Sequence, residues 1–174
     1  MKVLFLTITL SLFSILQAQE SSPLEERFGG LYFVKAIVTD NELLERDIPK
    51  DMSPLTVTQL SDGNLEAKFI VNNTGICEEF TMKLEKTNQL GLFSVDEGER
   101  QVLIEETSVR DHWILFCVGE IHGIQIRVAE LVGPYPDENP QASQDFKKFV
   151  SLKGFNEEKI NIPRQAEACT PEHV

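Results

Sequence analysis

Arg27-Phe28-Gly29-Gly30-Leu31-Tyr32-Phe33-Val34-Lys35-Ala36-Ile37-Val38 sets two glycines in front of a run of β-branched and aromatic residues. That is the pattern of a tight turn opening a long first strand. Side chains alternate along a strand, so Tyr32, Val34, Ala36 and Val38 share one face, and Phe33, Lys35 and Ile37 share the other. A ring this close to a glycine pair points to a plug with backbone packed tightly against it. An ordinary half-buried first strand is the plainer reading of the same residues.

Upstream, Met1-Lys2 is a short basic start, Val3 to Leu16 is apolar, broken only by Thr and Ser, and Ala18 supplies a small residue. This is the layout of a secretory signal peptide over residues 1–18, with cleavage expected after Ala18 and a single domain from 19 to 174. The apolar run is short for a membrane span of roughly 20 residues, so a signal anchor is the weaker alternative. The expected product is secreted and extracellular. The formal net charge of −12 argues against nucleic acid and anionic membrane as partners, because no basic cluster interrupts the acid.

Downstream, Asp40 to Ser53 is polar and broken by proline, which predicts a long surface loop. Leu55 to Leu60 alternates as a strand. Ser61-Asp62-Gly63-Asn64 carries the Asp-Gly signal of a two-residue hairpin turn, and Leu65, Ala67, Phe69 and Val71 line one face of the returning strand. Asn72-Asn73-Thr74 is a glycosylation sequon with Asn72 as the acceptor. Strands are further predicted around Phe80–Glu85, Leu92–Val95, Val102–Ile104, His112–Val118 and Ile124–Val132. That makes eight in all, at short and regular spacing. The period then changes. Asn139-Pro140 is a helix start, Ala142, Phe146, Phe149 and Val150 form one apolar stripe, and Lys153-Gly154 is a helix stop. Eight strands in hairpin succession fit a closed barrel, which abolishes sheet edges, and fit a β-sandwich equally well.

The residues Gly30-Leu31-Tyr32, Gly63-Asn64-Leu65-Glu66-Ala67-Lys68, Leu84-Glu85-Lys86-Thr87, Val109-Arg110-Asp111-His112-Trp113, Leu131-Val132-Gly133 and Ile162-Pro163-Arg164-Gln165 together resemble the lipocalins. Within that family the likeness is to the odorant-binding and tear (von Ebner's gland) subgroup, over the whole length after the leader. The family's Gly-x-Trp motif is altered, since Tyr32 stands where tryptophan belongs and its hydroxyl needs a partner. Asp111 matches the turn acid of the second motif. For the family's usual arginine, Arg164 is a loose candidate. The resemblance implies an all-β fold: an eight-stranded up-and-down antiparallel barrel, the lipocalin calyx, with one C-terminal α-helix packed on its side. It also implies a disulfide between Cys77 and Cys169, which leaves Cys117 free.

By alternation and similarity, the expected lining of the calyx is Val34, Ala36, Val38, Leu65, Ala67, Phe69, Phe80, Met82, Leu84, Trp113, Leu115 and Cys117. The same residues would serve as a filled core. Glu130 stands on the last strand, where several members of the subgroup carry a cavity-facing lysine; turned inward it would disfavour carboxylate ligands, and turned outward it would be solvated. A nucleophilic Cys117 would need a base or cation beside it, and His112 faces the other side of its strand, so an inert thiol is expected. His112, His122 and His173 have no metal-ligand spacing, and Asp96-Glu97-Gly98-Glu99 lacks the spacing of a calcium loop. No metal or cofactor is expected.

The resemblance therefore implies a non-enzymatic carrier of small hydrophobic molecules such as odorants, pheromones, retinoids or fatty acids. Two alternatives stay open. One is an interaction protein, a protease inhibitor or a signal acting on a cell-surface receptor. The other, weaker, is a prostaglandin-synthase-like enzyme using Cys117. The expected assembly is a monomer or weak dimer without a membrane span.

Overall fold

The alternating segments do become strands, and the sheet they form closes. The computed structural model describes residues 23–73, 75–167 and 169; the expected leader lies outside them. In chain order these hold a short helix α1 (Leu24–Arg27), β1 (Gly30–Thr39), α2 (Glu42–Asp47), β2 (Asp51–Met52), β3 (Leu55–Gln59), β4 (Leu65–Asn73) and β5 (Ile76–Lys86). Then come β6 (Leu92–Val95), β7 (Arg100–Glu106), β8 (Trp113–Ile121), β9 (Ile124–Gly133), α3 (Pro140–Leu152) and β10 (Arg164–Gln165). Strands β1-β3-β4-β5-β6-β7-β8-β9 form a closed antiparallel barrel in which β9 pairs back onto β1. The choice between barrel and sandwich is settled by that last pairing, which joins residues about a hundred positions apart.

Three local readings are corrected. The segment from Asp40 to Ser53 is more than a loop. Asn41 accepts hydrogen bonds through Oδ1 from the backbone N–H of Leu43 (2.9 Å) and Leu44 (3.2 Å), which caps α2. Farther along, β2 pairs in parallel with β10. The β3–β4 connection is longer than a two-residue turn: it spans Leu60 to Asn64, and among its residues only Gly63 is left-handed, at φ 84°. Asn64 holds the longer loop by accepting from Lys86 N–H at 2.8 Å. The two-residue geometry occurs instead between β8 and β9, where His122 (φ 49°) and Gly123 (φ 80°) are both left-handed, matching the twist of the flanking strands.

The third correction concerns β1. A bulge between Val34 and Ala36 shifts its register against β9. An extra residue in one strand reverses which face every later side chain takes. Val34 therefore faces the barrel interior opposite Val132, whereas Ala36 and Val38 lie opposite Leu131 and Ala129 on the outer face. There they meet the apolar stripe of α3, and Ala36, Val38, Ile114, Ala129, Leu131, Ala142, Phe146, Phe149 and Val150 form one buried cluster. Burying side chains of this size contributes roughly 1.5–3 kcal/mol each for the larger ones. The helix begins and ends as its sequence predicts. Asn139 Oδ1 accepts from Ala142 N–H at 3.0 Å, and Gly154 takes φ 83° after the last turn.

Candidate functional site

The closed end of the barrel is built from Gly29 outward. α1 crosses that end, and Phe28 stacks on Tyr32 (ring centroids 5.0 Å) and meets Trp113 edge-on (5.3 Å). Tyr32, at the altered motif, is buried, and its hydroxyl donates to the Gly29 carbonyl at 3.4 Å. The guanidinium of Arg27 lies over the Trp113 ring at 5.7 Å and pairs with Glu106. Arg27 is thus the cation that covers the plug. Arg164 sits in β10 and pairs with Asp51 at 2.7 Å.

Above the plug lies a cavity of about 520 Å³. It is ringed by alternate residues of the strands, in layers that the register defines. Leu115 lies opposite Glu130 and, one layer higher, Cys117 lies opposite Val128; Arg100 and Ile126 flank Gly119 nearest the mouth. Leu44, Pro49 and Met52 from the α2–β2 segment and Ala166 and Glu167 from the tail reach the same space. The tail is held there by the Cys77–Cys169 disulfide, with Cα atoms 5.9 Å apart, and by Gln165, whose Nε2 donates to the Val34 carbonyl at 2.8 Å.

Of the residues read as lining, Val34, Ala67, Phe69, Met82, Leu84, Leu115, Cys117 and Glu130 border the cavity. Ala36 and Val38 do not, because of the bulge. Leu65 and Trp113 face inward but are spent in the cluster that closes the barrel's end. Phe80 shares the inward face of β5 and stacks on Phe69 at 5.5 Å. It remains 44 % exposed because β6 pairs with β5 only at Glu85 and Lys86 and leaves the upper part of β5 uncovered. Val57, Val102, Ile126 and Val128 were missed, although the same alternation on β3, β7 and β9 could have found them. The loop and tail residues carry no local signal.

The electrostatics of the cavity are sparse. Arg100 is held at the mouth by Asp96, with Nε 2.8 Å from Oδ2. Burial pushes the Cys117 thiol up to about 11, with the Arg100 guanidinium opposing it, so the free thiol has no activating partner that wins. Burial likewise pushes the Glu130 carboxyl up to about 7. Outside the wall, His112 is buried against Lys35, Nε2 to Nζ 3.5 Å, on the opposite side from Cys117. Burial lowers the Lys35 ammonium, and Asp137 and Glu138 partly restore it. Asn72 is exposed at the end of β4 and accepts from Gly75 N–H at 3.0 Å; its sequon partner Thr74 lies outside the described residues. No helix among the described residues is long and apolar enough to cross a membrane.

Comparisons with known proteins agree with this architecture. Residues 30–167 match the model of the "Lipocalin / cytosolic fatty-acid binding protein family". The chain is 71% identical to late lactation protein B of Notamacropus eugenii over the full length of both. It is 40% identical to the major allergen Can f 1 of Canis lupus familiaris over 98% of each chain, and 36% identical to von Ebner gland protein 2 of Rattus norvegicus over 97% of each. Among solved structures, the siderocalin Ex-FABP superposes with a TM-score of 0.71 at 17% identity, covering 83% of this chain and 98% of that one; that likeness concerns the fold alone. With a closed eight-stranded barrel, a flanking helix, a plugged end and relatives matched end to end, the chain belongs to the lipocalin family and sits with its tear and odorant-binding members.

Proposed function

We propose that this protein is a secreted, non-enzymatic carrier that takes up one small hydrophobic molecule, of the size of an odorant, pheromone, retinoid or fatty acid, in its barrel. The observation that carries the reading is the cavity of about 520 Å³, closed at one end by Phe28 and walled mainly by aliphatic and aromatic side chains. A volume in this range suits a small ligand and its wall supplies few groups to fix orientation. Release into a secretion follows from the leader read at residues 1–18, the disulfide and the sequon at Asn72, with residues 19–174 as the mature single domain. Names of relatives such as "Late lactation protein A" and "Vomeronasal secretory protein 1" support that setting. The high Cys117 pKa supports a carrier over a thiol enzyme.

The test is titration with an environment-sensitive apolar fluorophore, followed through probe emission and Trp113 quenching, on the wild type and on Ala67→Phe, which fills the cavity from β4. Saturable one-to-one binding at micromolar concentration, weakened at least tenfold in Ala67→Phe, is expected. Absence of binding in the wild type, or unchanged binding in the filled variant, overturns the carrier reading.

A further inference from the structure

Among the described residues, Glu130 is the one ionisable group in the deep layer of the cavity wall. Its neighbours across the sheet are Leu115 on β8 and Ile37 on β1, and among the described residues its carboxyl has neither a hydrogen-bond donor nor an ion-pair partner. An ionised carboxylate can accept about four hydrogen bonds, and since the Glu130 side chain is half-buried in the cavity wall, those bonds are made with whatever fills the cavity, water or ligand. A side chain placed in that position needs a donor from whatever occupies the cavity.

The charge balance of the cavity points the same way. Among the described residues, four ionisable side chains besides Glu130 border it: Cys117, Arg100, Asp51 and Glu167. Arg100 is neutralised by Asp96, and Asp51 by Arg164. Cys117 stays a neutral thiol well above physiological pH. Two carboxyls, Glu130 inside and Glu167 at the rim, remain without a cation among the described residues. The surface beyond is acidic as well, with a net charge of −12, which favours the approach of cations and disfavours anions.

Resting on the carrier reading above, we propose that the barrel selects aliphatic or aryl-alkyl amines, with the ammonium inserted head-first to Glu130 and the apolar tail running past Cys117, Met82 and Phe69 toward the mouth. An ammonium brings both the counter-charge and the three donors that the carboxylate lacks. A carboxylate ligand would meet a like charge at the same depth, and an alcohol would supply one donor and no charge. Because burial lifts Glu130 to about 7, binding a cation below that pH requires the carboxyl to lose its proton first. Affinity for an amine then falls about tenfold per pH unit below 7 and levels off above it.

The experiment uses the disulfide-bonded protein and a matched series, 1-decylamine, 1-decanol and decanoate. Each is measured by calorimetry and by displacement of the fluorophore, at pH 5.5, 7 and 8, on the wild type, Glu130→Gln and Glu130→Asp. At pH 8, decylamine is expected to bind at least tenfold tighter than decanol, with decanoate weakest. The amine advantage should shrink at pH 5.5, vanish in Glu130→Gln and persist in part in Glu130→Asp. The wild-type pH series alone is decisive if either variant fails to fold. Equal affinity of amine and alcohol at pH 8, or an amine preference that Glu130→Gln retains, overturns the proposal while leaving the carrier reading intact. Failure of all three compounds and of the fluorophore to bind overturns both.

Discussion

Replacing Cys77 and Cys169 together by serine opens a loop of 92 residues and is expected to cost about 4 to 5 kcal/mol of stability. The figure comes from the entropy that the cross-link removes from the unfolded chain, which grows with the logarithm of loop length. The bond joins the start of β5 to the tail, and Ala166 and Glu167 of that tail border the cavity. The loss therefore falls on the unfolded state while the barrel pairing is kept. For a domain of this size a change of that magnitude lowers Tm by roughly 10–15 °C. Equilibrium urea unfolding, followed by Trp113 fluorescence, measures it directly. The slope m should also rise, since an uncrosslinked chain exposes more surface when it unfolds. A double-serine variant within about 1 kcal/mol of the wild type, at unchanged m, would refute the reasoning and show that the tail is anchored mainly by Gln165 and the β2–β10 pairing.

Two further expectations concern the ionisable groups in the cavity wall. Cys117, with its thiol at about 11, should hold only about one thiolate in a thousand at pH 8 and react with a small disulfide reagent at least a hundredfold more slowly than free cysteine; a rate within tenfold of free cysteine would revive the enzymatic alternative. Glu130 binds its proton more tightly in the folded state, with a pKa of about 7 against an ordinary 4.5, so its contribution is fully present at and below pH 4.5 and is lost as pH rises to 7. Glu130→Gln should accordingly gain on the wild type between pH 4 and pH 8 by up to about 3 kcal/mol in urea unfolding, and an equal difference at the two pH values would show that the carboxyl is well solvated.

Much of the fold could be read locally. The alternation in Leu65 to Val71 needs one buried face to make sense, and the structure supplies it. Asn139, Pro140 and Gly154 mark the ends of α3 through hydrogen bonds and backbone angles that depend on nearest neighbours only. The plug was legible in part, since Gly29, Gly30 and Tyr32 announced a ring against backbone. The cation over Trp113 carried no local signal: Arg27 reaches that ring because of how the chain crosses the barrel's end.

The sequence by itself determined the strands, the helix and the chemical character of the cavity wall, because periodicity and turn chemistry are properties of adjacent residues. Only the tertiary structure decided which face is which. One extra residue near Lys35 moved Ala36 and Val38 from the cavity to the helix, and the pairing of β9 with β8 set Glu130 level with Leu115 inside the barrel. Tail and loop residues entered the cavity for the same reason. A face, unlike a period, is fixed by partners that lie far away in the chain.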